Sequence, residues 1–421
     1  MLDRSIPPKF QTIHAIDFPW PALHVLKNQL PLYLLNVGSQ PIIEVELIFR
    51  GGNAYEAVPA AAYFTAAMLL EGTTNKSAQA IAQVISYYGA TIDVRSETDF
   101  CSITLTTLSA HIVPMMELLL EVLLYPSFPQ KSLTLFKRLK SQSIRIADKK
   151  PDRVAYKCFR AAIFPTPHSY GRFLTLQEVE AIQLEDLYNQ YAKFFFAGCT
   201  IFVSGAVTPA ALQCIKEQLA YLEPKEAVLS QYALQGCKVE KKVTGTTVQQ
   251  LQAAIVIGKQ LLVKKEADFL PMCIVNEILG GGFCSRLMQN LREDKGYTYG
   301  IYSRMVALQQ AGYIAIMTEV AQSVAPKAIQ EVYKEIERLQ NELVSTTLLK
   351  KVKNYLLGRF LTTINDPFSI MQRFQSAYLH GLDQQYYSAF YHQVQQITPI
   401  EIRDLAQKYL SLDSLTEITV S

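Results

Sequence analysis

Apolar residues along the chain recur with two periods, and the switches between them mark out strands and helices. Ile43, Val45, Leu47 and Phe49 alternate with mostly polar neighbours, the period of a half-buried strand, and Gly51 and Gly52 stop the run. Before it, Leu23 to Leu35 reads as a hairpin turning at Lys27, Asn28 and Gln29. A helix is predicted over Pro59 to Leu70, and a second from Ser77, a good N-cap, to Tyr88, closed by Gly89. Two strands follow, Thr91 to Arg95 and Cys101 to Thr107. Helices are then predicted over Ala110 to Leu124, Gln130 to Ala147 and Pro151 to Ala162. A helix near Leu184 to Phe195, the strand Cys199 to Ser204 and a helix from Pro209 to Leu222 close this half. Glu223 to Gln250 loses the periodicity, which reads as a linker.

The same order then returns, offset by roughly 205 to 215 residues. Gln252 to Lys259 answers the strand at Val45, and helices near Phe269 to Leu279 and after Ser285 answer those at Pro59 and Ser77. Tyr297 to Met305 and Gly312 to Thr318 answer the next two strands, and Val324 to Leu339 and Ser345 to Phe360 the long helices. At the ends, Ile397 to Tyr409 running on to Ile418 matches Ile182 to Phe194 running on to Ile201. The fold class is therefore α+β: each half is a mainly antiparallel sheet with helices packed on one face, and the halves arose by internal duplication. The boundaries fall at 1–222, 223–250 for the linker, and 251–421.

Composition agrees and narrows the function. At 421 residues the chain exceeds one ordinary core, and 49% hydrophobic with 18% charged residues is a globular balance. A net charge of +3 without a basic patch argues against nucleic-acid binding. The start, MLDRSIPPKF, has no basic region followed by an apolar run, so no secretory signal is visible. The longest nearly apolar run, Val58 to Leu70, is too short to span a bilayer. Cytoplasm is the default compartment, and the periplasm stays open. The cysteines (Cys101, Cys158, Cys199, Cys214, Cys237, Cys273 and Cys284) are scattered and odd in number, which favours reduced thiols.

Candidate chemistry concentrates in Gly280 to Gly300. Gly280, Gly281 and Gly282 come first. A helix from about Ser285 to Asp294 should bury Phe283, Leu287 and Leu291 on one face, and Gly296 can supply a left-handed cap. A strand starting at Tyr297 would fold back along the helix, so that Arg292 and Tyr299 point into one space. An arginine and a tyrosine at a helix end are ordinarily a surface charge and a half-buried ring. Together, however, they suit a carbonyl oxygen that becomes negative during acyl transfer.

This stretch resembles the signature of the second domain in the pitrilysin and mitochondrial-processing-peptidase family of zinc peptidases: glycines, then S-R-L, L-R and G-x-x-Y. Here these are Gly280 to Gly282, Ser285, Arg286, Leu287, Leu291, Arg292, Gly296 and Tyr299. The resemblance covers essentially the whole chain and implies two like domains facing each other as a half clam-shell. In active members the first domain carries H-x-x-E-H, whose histidines bind zinc and whose glutamate activates water, with a further glutamate ligand downstream. The frame persists here as Ala62 to Met68, then Gly72 and Thr73. The chemistry does not: Tyr63 and Ala67 replace the histidines, Ala66 the base, and Gln142 or Ser143 stands where the glutamate should fall. The six histidines (His14, His24, His111, His168, His380 and His392) offer no pair at metal-ligand spacing.

The resemblance thus implies a non-catalytic subunit of a heterodimeric zinc endopeptidase, with no metal or cofactor of its own and zinc in the partner. That partner would be a chain with H-x-x-E-H, and an extended peptide would be the substrate. Arg292 and Tyr299 would stabilise the transition state in trans. The glycines would approach substrate backbone, and Arg95, Ser96 and Glu97 would present an edge strand to it. The alternative is a zinc-free peptide-binding or scaffold protein, homodimeric when isolated.

Overall fold

The computed structural model describes residues 5, 16–165, 168–226, 242–245 and 252–421. Most of the predicted linker, with His14 and Cys237, lies outside them. The first half runs β1 (Ala22–Val25), β2 (Pro31–Asn36), β3 (Ile42–Phe49), α1 (Ala61–Met68), α2 (Ala78–Tyr87), β4 (Thr91–Ser96) and β5 (Cys101–Leu108). It continues through α3 (Ile112–Leu124), α4 (Gln130–Ala147), α5 (Pro151–Ile163), α6 (Leu176–Ala181), α7 (Leu184–Phe194), β6 (Thr200–Gly205) and α8 (Pro209–Leu219). The second half comprises β7 (Lys242–Gly245), β8 (Gln252–Leu261), α9 (Phe269–Asn276), β9 (Ile301–Ala307), β10 (Gly312–Ala321), α10 (Ala325–Asn341) and α11 (Thr346–Thr362). It ends with α12 (Pro367–Tyr378), α13 (Gln385–Gln396), α14 (Pro399–Tyr409) and β11 (Thr416–Val420). The capping residues behave as their chemistry dictates. The Ser77 hydroxyl accepts from Ala80 N, and Thr398 and Glu401 form a reciprocal capping box.

The two sheets share one topology. The first has the order β1-β2-β6-β3-β5-β4 and the second β7-β11-β8-β10-β9. In each, one pair is parallel (β2 with β6, β7 with β11) and the remaining neighbours are antiparallel. β7, which the sequence reading had placed inside the linker, is therefore the counterpart of β2. A four-residue edge strand is too short to display a period-two pattern. The helices α12, α13 and α6 also carried no expectation, because their apolar stripes are narrow and interrupted.

The main core of each domain lies between one face of its sheet and its own helices. The opposite faces are closed by an exchange. α5, from the first half, lays Ala155, Phe159 and Ile163 on Ala254, Val256 and Ala315 of the second sheet. Gly258 permits this approach, since a Cβ there would stand 2.9 Å from the Phe159 ring. α12, from the second half, lays Ile370, Met371 and Phe374 on Leu35, Ile48 and Phe202 of the first sheet. A polar clasp joins the halves beside them. Tyr170 donates to Asp99 (2.7 Å), and the backbone N–H groups of Gln309 and Gln310 donate to Asp99 and to the Tyr170 hydroxyl. Burial pushes the Asp99 carboxyl above its ordinary range despite these donors.

Candidate functional site

Three places bear on chemistry: the helix that would carry a metal, the open edge of the first sheet, and a cleft on the second sheet. On α1, Ala66 is buried at 3% exposure, and Tyr63 and Ala67 are half-buried. The facing helix is α4. Its 3.6-residue period turns Leu133, Lys140, Ser141 and Ile144 inward and leaves Gln142 and Ser143 exposed. Lys140 Nζ sits 3.7 Å from the centre of the Tyr63 ring, a cation over an aromatic face. Burial holds this ammonium below its usual value. The segment that aligns with the family's metal motif thus presents a phenol ring, two methyl groups and a facing cation. Among the described residues no group of three or more His, Cys, Asp or Glu side chains could hold a metal ion. Sequence reasoning missed Lys140 because it extrapolated a position by count rather than by helix face.

On the first sheet, β4 is the outer strand, with Arg95 and Ser96 at its end and Glu97 just beyond. Glu97 closes the hairpin: its N–H donates to Phe100 O (2.9 Å) and its carbonyl accepts from Asn53 N (3.0 Å). The corresponding strand of the second sheet, β9, has its outer edge sealed. Asn276 Nδ2 donates to Ser303 O (3.2 Å), and Ile301 N points to the Met288 sulfur at 3.4 Å. Among the described residues no side-chain hydrogen bond of this kind reaches the β4 edge.

The stretch from Gly280 to Gly300 folds differently in detail from its expectation. The backbone after α9 continues as a π-helical turn, Glu277–Gly281, and a second π-helical segment spans Met288–Asp294. Such turns recur at functional sites. Ser285 N closes a turn onto Gly282 O (3.1 Å), so the helix starts after Phe283. Phe283 is consequently 63% exposed, while Leu287 and Leu291 are buried as expected. Gly296 adopts φ +66°, the left-handed cap. The next strand starts at Ile301 rather than Tyr297, because the Thr298 hydroxyl takes up local backbone. It accepts from Gly300 N (3.1 Å) and donates to Glu319 O (2.8 Å).

This anchoring leaves Tyr299 projecting, at 97% exposure. Arg292 stacks its guanidinium 4.7 Å from the Phe283 ring centre. Both residues line one cleft of about 850 Å³ between the start of α5 and the part of the β8, β10 and β9 face that α5 leaves open. Gly280 to Gly282 do not line it. A Cβ on Gly280 would stand 2.8 Å from Ser303 Cβ, and Cβ atoms on Gly281 and Gly282 would meet the Glu277 carboxylate at 2.7 and 2.5 Å. These glycines let the π-helical turn pack against β9.

A duplicated α+β shell with an Arg–Tyr cleft, and with no metal-holding cluster among the described residues, is the architecture the resemblance led one to expect. Residues 35–169 match the family described as insulinase (peptidase family M16), and residues 181–356 match the peptidase M16 inactive domain. The chain belongs to peptidase family M16. It is 25% identical over 393 residues to a Helicobacter pylori protein named a non-peptidase homolog, YmxG, covering 90% of this chain and 89% of that one. It is 20% identical over 355 residues to an uncharacterized zinc protease, YmxG, of Bacillus subtilis, covering 83% and 86%. In fold it matches the crystal structure of a peptidase M16 inactive domain from Pseudomonas fluorescens, with TM-score 0.85, 23% identity, and 95% and 98% of the two chains covered. The crystal structure of a Helicobacter pylori protease gives TM-score 0.86 at 16% identity, covering 96% and 100%. Among the described residues no helix is long and apolar enough to cross a membrane.

Proposed function

We propose that this chain is the non-catalytic half of a two-chain M16 endopeptidase. It closes the peptide chamber and lends Arg292 and Tyr299 to the zinc site of a partner carrying H-x-x-E-H. The observation that carries this reading is the contrast between the domains. The helix that aligns with the family's metal motif carries Tyr63, Ala66 and Ala67 with Lys140 over the Tyr63 ring, and so offers no histidine or carboxylate for zinc or for activating water. Arg292 and Tyr299 nevertheless line one open cleft and make no ion pair or hydrogen bond within the described chain. Arg292 would hold the peptide main chain or the developing oxyanion, and Tyr299 would donate to the same oxygen. The position of β4 as the outer strand, with Arg95 and Ser96 at its end, supports strand addition by an extended peptide. The name of the Helicobacter pylori relative, a non-peptidase homolog, supports a chain without peptidase activity of its own.

The test is reconstitution. The chain is captured from its native organism, the co-purifying subunit is identified by mass spectrometry, and peptide cleavage by the pair is assayed. Arg292→Ala and Tyr299→Phe should each slow turnover by ~10- to 1000-fold with assembly intact. Full turnover by both variants overturns the shared site. Recovery without any H-x-x-E-H chain favours a zinc-free peptide-binding or scaffold role.

A further inference from the structure

The cleft extends well beyond Arg292 and Tyr299, and its lining is ordered by strand register. Tyr302, Arg304 and Val306 of β9 lie opposite Met317, Ala315 and Tyr313 of β10. All six face the cleft, so it runs along the strands with an apolar floor. At the far end the rings close together. The Tyr156 and Tyr313 hydroxyls bond each other at 2.5 Å, and Arg160 reaches both. Those hydroxyls are satisfied, so that end offers ring faces rather than donors. Charge is divided along the length. Asp152 and Glu319 flank the near side, with Arg153 paired to Asp152 at 3.6 Å. Arg304 rests over the Tyr302 ring, 5.4 Å from its centre, and no carboxylate pairs with it among the described residues. An unpaired guanidinium on the rim of an aromatic slot is complementary to a carboxylate attached to an apolar segment.

The sheet also supplies a ruler. Side chains on one face of a strand repeat every ~7 Å, and an extended peptide has the same repeat. Gly300 follows Tyr299 directly, and Arg304 lies four residues on, about 13 Å away. We propose that this cleft is a sequence-selective subsite for extended peptides. A large apolar side chain lies over Tyr302 and Met317, about two residues from the peptide unit held at Arg292 and Tyr299. An acidic side chain lies about two residues further, at Arg304. The inference rests on the reading of Arg292 and Tyr299 as peptide-binding, and extends it from main chain to sequence.

The test is fluorescence anisotropy with the full chain and labelled ten-residue peptides. One carries Phe and Glu two residues apart, and two controls change Phe→Ala or Glu→Lys. The parent peptide should bind about tenfold tighter than either control. Arg304→Glu should invert the order, preferring the Lys peptide, and Tyr302→Ala should abolish the preference for Phe. Both positions are solvent-exposed, so neither variant threatens the fold. Equal binding of all three peptides, still weakened by Arg292→Ala, overturns the subsite and leaves the shared site standing. Equal binding unaffected by Arg292→Ala overturns both, as does failure of every peptide to bind. Weaker parent binding by Arg304→Glu, without a gain for the Lys peptide, also overturns the charge-recognition step.

Discussion

Phe374 gives the sharpest test of how the two halves are held together. It belongs to α12 in the second half, yet it is fully buried on the first sheet. Its ring meets Trp20 and Tyr33, each at 4.7 Å between centres, with Tyr378 at 5.7 Å and Phe202 at 6.1 Å. Phe374→Ala removes the transfer free energy of the ring and leaves a cavity among rigid aromatic neighbours that cannot collapse into it. The expected cost is about 3–5 kcal/mol. The size of the melting shift then reports coupling. Unfolding entropy is about 2.1 cal/mol/K per residue, so a 4 kcal/mol loss lowers Tm by about 4–5 °C if the whole chain melts as one unit. If a half of about 200 residues melts alone, the shift is about 9 °C. Calorimetry reads the shift, and hydrogen exchange locates it. Amides of β2 and β6 should lose protection, although they are more than 150 positions away in sequence. Unchanged protection in those strands, with loss confined to the second domain, would refute the exchanged-helix account. A destabilisation below about 1 kcal/mol would refute the packing argument.

Two further outcomes follow from individual side chains. Glu44, on β3, has its carboxyl raised to about 7, first by burial and then by Glu46. Its folded-state value exceeds its unfolded one, so the folded state binds the proton more tightly and stability falls as pH rises from about 4.5 to about 7. Glu44→Gln should therefore gain about 1–2 kcal/mol over the parent at pH 8 and little at pH 4, by urea titration. An equal effect at both values contradicts the linkage. In the second case, restoring the motif letters with Tyr63→His, Ala66→Glu and Ala67→His should give no stoichiometric zinc by elemental analysis, because Lys140 faces that surface. Adding Lys140→Glu should raise uptake, whereas adding Gln142→Glu should not, since residue 142 is exposed on α4. Full loading of the triple variant would show that the lysine is no obstacle.

The local layer of this protein was legible in its residues. Alternation at Ile43 to Phe49, the cap at Ser77 and the left-handed Gly296 follow from short-range sterics and hydrogen bonding, which a sequence displays directly. The replacement of the motif letters is equally plain in the sequence, since alanine at two of the positions can neither ligate a metal nor transfer a proton. The repeat of one element order in both halves foretold two like sheets for the same reason. Tertiary structure alone decided the rest. No periodicity reveals that α5 covers the second sheet and α12 the first, because burial of an apolar stripe does not say which surface buries it. β7 was hidden because an edge strand of four residues gains its identity from its partner β11. Lys140 came to lie over the Tyr63 ring, and Phe283 at the surface, through the angular phase of one helix and the starting point of another. The cleft that gathers Arg292, Tyr299 and Arg304 exists only because an edge strand, a π-helical turn and a helix from the other domain meet. Contacts between residues so far apart are fixed by packing, not by the local preferences that sequence records.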